Sequence, residues 1–457
     1  MEGKTNMTSL RKAMVLIAML VACGILSVLS PVSLAGNAPD IKRMVLSNRL
    51  VVLISEEHSL PFVTCRILVN AGSWRDLAGE EGLANLAANS ILLGTRDNSL
   101  FTINRKLDQM GSSLDSSCGR DYAVVGFRSL KREFDKGFGI LMEVLTQPSF
   151  PANEVDRQRA EIIGAIQAQQ DQPEVVAEKE FRKALFKKSP YGHPVEGTME
   201  SVRGLTREAA VGFYGAYFRP NNSVLAIAGD ITEEEVRSKL VPSLDKWKPR
   251  EIPDRPFESE FVKGPLTVKK DRPITQANVI LGHRGISRSD KDYYAASLMN
   301  YILGGAGLGS RLMEEIRIRR GLAYSVYSHF DALKRPGSFQ ILLQTKNESA
   351  KEAVQICFQE MKKIQEEGVT EEELETAKRY HIGSFPMRFD SQEKLAEFII
   401  QIEFYGLGLD YPEHYPSLIR SVTREDIQKA AKTYLHPDHY VLSVVADLKK
   451  AALEDMK

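Results

Sequence analysis

Apolar positions along the chain follow two rhythms, and the change from one to the other separates strands from helices. Residues 49–55 and 62–71 are β-branched runs that predict paired strands, and residues 223–229 predict another. Residues 102–110, 132–145 and 153–170 repeat apolar positions at three and four, the period of an amphipathic helix. The stretch the rest is organised around is residues 82–95, Gly-Leu-Ala-Asn-Leu-Ala-Ala-Asn-Ser-Ile-Leu-Leu-Gly-Thr. Leu83, Leu86, Ala87, Ser90 and Ile91 form its inward stripe, and Asn85, Ala88, Asn89 and Leu92 the opposite face. Gly94 stands where a helix end takes a left-handed residue. Further on, strands are predicted over 275–283 and 338–345 and helices over 293–303, 349–367 and 371–385. Residues 310–320 read as a helix ended by Gly321, and 323–328 as a strand. Strands that cluster instead of strictly alternating with helices predict an α+β fold.

The pattern occurs twice. Leu205-Thr-Arg-Glu matches Val422-Thr-Arg-Glu, and Phe218-Arg-Pro-Asn matches Leu435-His-Pro-Asp, both at an offset of 217 residues. Residues 154–164 align with 373–383 at an offset of 219. Near-equal offsets across separate elements predict two homologous domains, at 37–245 and 258–457. Each is expected to be a mainly antiparallel sheet with helices packed on one side. The Pro-rich, charged residues 246–257 form the linker.

Composition narrows the picture. A hydrophobic content of 43% and a charged content of 26% are those of a soluble globular protein. Sixty basic and sixty acidic residues cancel, so neither nucleic acid nor a membrane surface is expected as a partner. Cys23, Cys65, Cys118 and Cys357 are too few and scattered for a disulfide scaffold or a Cys-based zinc site; pairing of Cys65 with Cys118 stays open. Residues 1–35 read as an export signal: Arg11-Lys12, an apolar run over 13–29, then Ser33-Leu34-Ala35 as a cleavage site. An exported, periplasmic protein follows. Leu20-Val21-Ala22-Cys23 allows an alternative, a lipoprotein anchored through Cys23, although the residues after Cys23 stay apolar.

Several segments carry a family resemblance. With Ala71-Gly72-Ser73 before it and Gly94-Thr95 at its end, the residue 82–95 stretch resembles the zinc-site helix of the pitrilysin/insulinase metallopeptidases, whose motif is H-x-x-E-H. Leu46-Ser-Asn-Arg-Leu, Tyr191-Gly-His-Pro-Val-Glu-Gly-Thr, Tyr217-Phe-Arg-Pro-Asn-Asn, and the run from Gly304-Gly305 to Tyr324-Ser325-Val326 are similar to other family segments, in family order. Zinc in such a site takes two imidazoles one helical turn apart and a distal carboxylate, and the Glu between the imidazoles is the general base. Here Asn85 and Asn89 stand in the ligand places and Ala88 in that of the base. Ala165, in Gly164-Ala165-Ile166, stands for the distal carboxylate. The resemblance therefore implies a degenerate site, no cofactor bound by this chain and no catalytic residue on it alone. Of eight histidines only His436 and His439 are close, and they read as loop residues.

The second domain retains more. Arg317 and Tyr324 are seven residues apart, and the family places an Arg and a Tyr at that spacing over the bound peptide. Their residue types alone favour a solvated Arg and a half-buried aromatic, since both are common. The resemblance implies substrate binding instead, as donors to a peptide carbonyl. Arg319 and Arg320 read as solvated neighbours. Residues 304–309, Gly-Gly-Ala-Gly-Leu-Gly, lack the Lys-Ser/Thr of a phosphate loop and read as a helix–helix turn or a flexible segment facing peptide. The implied function is a non-catalytic, substrate-binding subunit of an exported two-chain zinc peptidase. Its homologous H-x-x-E-H partner would hold the zinc, and unfolded peptides would be the substrate. The alternative is a peptide-binding or scaffold protein of the same fold with no part in proteolysis.

Overall fold

The structure is a computed structural model that describes residues 38–258, 260–451 and 453. The export segment over 1–35, Cys23 included, lies outside the described residues. Among the described residues eleven strands form two sheets. The first contains β1 (Lys42–Val45), β2 (Val51–Glu56), β3 (Phe62–Val69), β4 (Ser113–Cys118), β5 (Ala123–Leu130) and β6 (Ser223–Gly229), in the order β1-β2-β6-β3-β5-β4. The second contains β7 (Leu266–Asp271), β8 (Gln276–Arg284), β9 (Ala323–Asp331), β10 (Ser338–Lys346) and β11 (Val441–Ala446), in the order β7-β11-β8-β10-β9. Without β1 the two orders are the same. In each sheet one pair is parallel (β2 with β6, β7 with β11) and the rest are antiparallel. The fold is α+β with two homologous halves.

One expected pairing differs. Residues 49–55 and 62–71 are not neighbours, because β6 enters between them: Ile227 is opposite Ile54 on one side and Cys65 on the other. β6 is apolar and almost wholly buried, so it needs a strand on each side to satisfy its backbone and cover its residues. The five residues between β2 and β3 are long enough to step across it.

The main helices are α1 (Leu83–Ser90), α2 (Leu100–Met110), α3 (Phe134–Thr146), α4 (Ala152–Gln169), α5 (Pro173–Phe186), α6 (Arg207–Tyr217), α7 (Tyr293–Asn300), α8 (Ala350–Glu367), α9 (Glu371–Ser384), α10 (Gln392–Tyr405), α11 (Tyr411–Arg420) and α12 (Arg424–Tyr434). On one face of the first sheet Val63, Cys65, Ile67 and Val69 meet the first half's own helices, as expected. The other face is closed by α10, which comes from the second half: Leu68, Val124, Ala226 and Ala228 share a core with Ala396, Ile399 and Ile400. The second sheet is closed reciprocally by α5 of the first half, where Ala177, Phe181 and Leu185 meet Ile280, Val441 and Val445. The starts of α5 and α10, 173 and 392, and their ends, 186 and 405, are both 219 apart. The duplicated halves thus exchange equivalent helices. Gly282 makes room for one of them: a Cβ there would stand 2.7 Å from the Phe181 ring and 2.2 Å from the Phe339 carbonyl oxygen.

Polar contacts join the same seam. Arg182 of α5 is buried and pairs with Glu178 (2.6 Å) and with Asp331 of β9. Asp121 accepts from the Tyr191 hydroxyl, from the Lys334 backbone N–H (2.7 Å) and from the Tyr405 hydroxyl of α10 (3.4 Å). Residues 248–265 contain no helix or strand among those described, yet Phe257 stacks edge-on against Tyr191 (4.8 Å) and Phe261 against Phe186 (5.3 Å).

Candidate functional site

The degenerate zinc positions are carried by α1, whose start is clamped from two directions. The Asp76 carboxylate accepts the backbone N–H of Gly82 (2.9 Å) and of Ala84 (2.7 Å), and its burial pushes its pKa up to about 8. Gly82 has φ +96° and Gly197 φ +83°; a Cβ on either would strike the carbonyl of Glu196 or Glu81 at 2.5 or 2.2 Å. Only glycines permit residues 81–82 and 196–197 to approach this closely. The helix end departs from expectation: Gly94 has φ +156° and ψ 158°, an extended region open to glycine but not the left-handed helical one.

On α1, Asn85 and Asn89 share a face one turn apart. The Asn89 Nδ2 donates to the Asn85 backbone oxygen (2.8 Å) and to its Oδ1 (2.9 Å), so one amide is turned onto the other. Ala88 is fully buried, and its carbonyl accepts from the Ser116 hydroxyl of β4 (2.7 Å). Ala165 is exposed on α4, the helix packed against α1. The two helices pack together, but the side chains at these four places are two amides and two methyls. No imidazole or carboxylate stands in these four places, and these residues do not fit a zinc ion. Among the described residues no group of three His, Cys, Asp or Glu side chains is arranged to hold a metal. Cys65, Cys118 and Cys357 are free thiols, which settles the open pairing: no Cys65–Cys118 disulfide is formed.

Arg317 and Tyr324, by contrast, come together. Met313–Ile318 is a π-helical turn, and Gly321 (φ +63°) ends it while the Gly321 N–H donates to the Arg317 oxygen (3.1 Å) and the Leu322 N–H to the Ile316 oxygen (2.9 Å). The chain then enters β9, the edge strand of the second sheet. Thr345 of β10 is opposite Ala323 and Gln344 opposite Ser325, so Tyr324 is the extra residue of a β-bulge. A bulge re-aims a side chain, and Tyr324 is turned out to 74% exposure. The Arg317 guanidinium stands over its ring at 4.7 Å from the centroid. Arg319 and Arg320 are held instead by Glu314 and Glu315. Arg317 has no carboxylate at ion-pair distance among the described residues, which leaves its donors free. The Gly-rich run is a tight connection: a Cβ on Gly304 would stand 2.5 Å from the Ser328 hydroxyl of β9.

Sequence reasoning missed the buried Asp121 and the Arg182–Asp331 pair at the seam. Both lie on elements that only the exchange of α5 and α10 brings together, and a lone Asp in Gly119-Arg-Asp-Tyr122 signals nothing by itself.

Comparison with known proteins agrees with this architecture. The family description "Insulinase (Peptidase family M16)" matches residues 51–199, and "Peptidase M16 inactive domain" matches residues 204–380. A protein of Streptomyces coelicolor named as an uncharacterized zinc protease is 26% identical over 426 residues, with 91% of this chain and 92% of the relative covered. A protein of Helicobacter pylori named as a non-peptidase homolog is 25% identical, with 88% of this chain and 93% of the relative covered. The crystal structure of a peptidase M16 inactive domain from Pseudomonas fluorescens superimposes with a TM-score of 0.83 at 27% identity, covering 89% of this chain and 98% of that one. With its helix scaffold retained and its metal donors gone, the chain belongs to the M16 (insulinase) family of peptidases as a non-catalytic homologue.

Proposed function

We propose that the chain is the substrate-binding subunit of an exported two-chain zinc peptidase. One observation carries this reading: the positions for metal and base are amides and methyls, whereas the Arg317–Tyr324 pair is assembled with Tyr324 exposed. A guanidinium and a phenol are strong donors toward a peptide carbonyl, and toward the negative charge that grows on its oxygen during hydrolysis. In this reading a homologous H-x-x-E-H partner holds zinc and its general base. Arg317 and Tyr324 orient and polarise the carbonyl of an unfolded peptide held between the two chains. Export rests on the residue 1–35 signal, with soluble periplasmic release preferred over anchoring through Cys23.

The test is to co-purify the chain with an exported H-x-x-E-H homologue and follow peptide hydrolysis with wild type, Arg317→Ala and Tyr324→Phe. Loss of a transition-state donor is expected to lower kcat about 10²–10³-fold in the assembled pair. Full activity of both variants would discard the role. The Helicobacter relative, named as a non-peptidase homolog, favours the second reading, a scaffold without proteolysis. A stable complex whose hydrolysis ignores both residues would support it.

A further inference from the structure

A cavity of about 750 Å³ opens at the seam between the first sheet, α10 and the starts of α7 and α11, and neither the Arg317–Tyr324 pair nor α1 contributes to its wall. Its volume is in the range of small-ligand sites. The charges on its wall fall into two groups. Arg66 is neutralised by Asp115 (2.9 Å), Lys394 by Asp390 (2.8 Å) and Glu393 by Arg128 (3.3 Å). Three others have no opposite charge at ion-pair distance among the described residues: Arg288, Arg388 and Glu397.

The two guanidiniums are held by aromatic rings. Arg288 lies 4.0 Å from the centroid of Tyr293 and donates to the Tyr411 hydroxyl (2.9 Å). Arg388 stands over Phe385 and Tyr415, 5.3 Å from each centroid. Stacking fixes a guanidinium's plane and leaves its edge donors directed elsewhere, the arrangement suited to a bidentate carboxylate. Among the described residues Glu397 accepts only from the Gln401 amide (3.1 Å), and it lies near enough to Tyr122 to help burial raise that phenol's pKa to about 12. The cavity thus offers unpaired cations, an unpaired anion and a tyrosine-rich wall.

We infer that this cavity binds a short peptide with both termini free, its carboxylate on Arg288 and Arg388, its ammonium on Glu397 and its apolar side chains against the tyrosines. The inference is independent of the proposed subunit role, because it concerns the isolated chain and no hydrolysis. The experiment is isothermal titration of the purified chain with the tetrapeptide Ala-Phe-Ala-Phe, its C-terminal amide and its N-acetyl form. Removing either terminal charge is expected to weaken binding about tenfold, so the amide and the acetyl form each bind more weakly than the free peptide. Arg388→Gln, which changes an exposed side chain, is expected to weaken the free peptide about tenfold and leave the amide unchanged. Glu397→Gln is expected to do the same to the free peptide and leave the acetyl form unchanged. Equal binding of all three peptides, no binding of the free peptide at millimolar concentration, or wild-type affinity in both variants would overturn the inference.

Discussion

Replacing Phe181 with Ala tests whether the exchanged helices hold the two halves in one cooperative structure. Phe181 is fully buried between α5 and the second sheet, in the space that Gly282 leaves open. Removing a buried ring forfeits about 2–3 kcal/mol of transfer free energy. The void adds about 1–2 kcal/mol at ~24 cal/mol per Å³, after partial collapse of neighbours such as Ile280 and Val445. A loss of about 3–5 kcal/mol is expected. Urea unfolding measures it, followed in parallel by tryptophan fluorescence and far-ultraviolet circular dichroism. Trp247 belongs to the core of the first sheet, whereas the void lies under the second sheet, in a cluster that Trp74 borders. Because α5 and α10 cross in opposite directions, the two signals should move together to lower urea. A loss under about 1 kcal/mol, or a fluorescence midpoint that stays at the wild-type value while the dichroism midpoint falls, would refute the reasoning.

Gly82→Ala should cost about 2 kcal/mol or more, read as a fall in Tm, because a left-handed φ and a 2.5 Å approach to the Glu196 carbonyl act together. His283 is buried against Phe339 and its pKa is lowered to about 3 by burial, while His381 is lowered to about 4 for the same reason. The unfolded chain takes up these protons near pH 6.5 and the folded chain does not, so stability is full above 6.5 and falls as pH drops toward 4. Urea midpoints at pH 7.5 and 5.0 should show that loss, and His381→Gln should narrow it. Arg317→Ala should leave the isolated chain's stability within about 0.5 kcal/mol, since its stacking partner is largely exposed. Metal analysis of the isolated chain by mass spectrometry should find far less than one zinc per molecule, and one equivalent would refute the reading of α1.

What could be read in advance depended on how local its cause was. The period of residues 153–170 and the punctuation of Gly321 are decided within a few residues, and the observed elements fall within a residue or two of them. Arg317 and Tyr324 were legible because seven residues, one helix end and one turn bring them together. Neither the π-turn nor the bulge that aims them has a signature in residue type. β6 lies beside β2 because a strand buried on all sides seeks two neighbours, a condition imposed by residues some 170 positions away. α5 and α10 were illegible for a related reason. Gln392–Tyr405 is apolar around most of its circumference, so it has no clear stripe, and that lack is itself the consequence of being packed between two halves. The repeat that revealed the duplication therefore could not reveal the exchange: two copies packed side by side and two copies with crossed helices carry the same offset of residues. Gly282, which follows the apolar run Val279–Leu281 of β8, is where the second sheet admits something large. Phe181 is that group, and it comes from the other half.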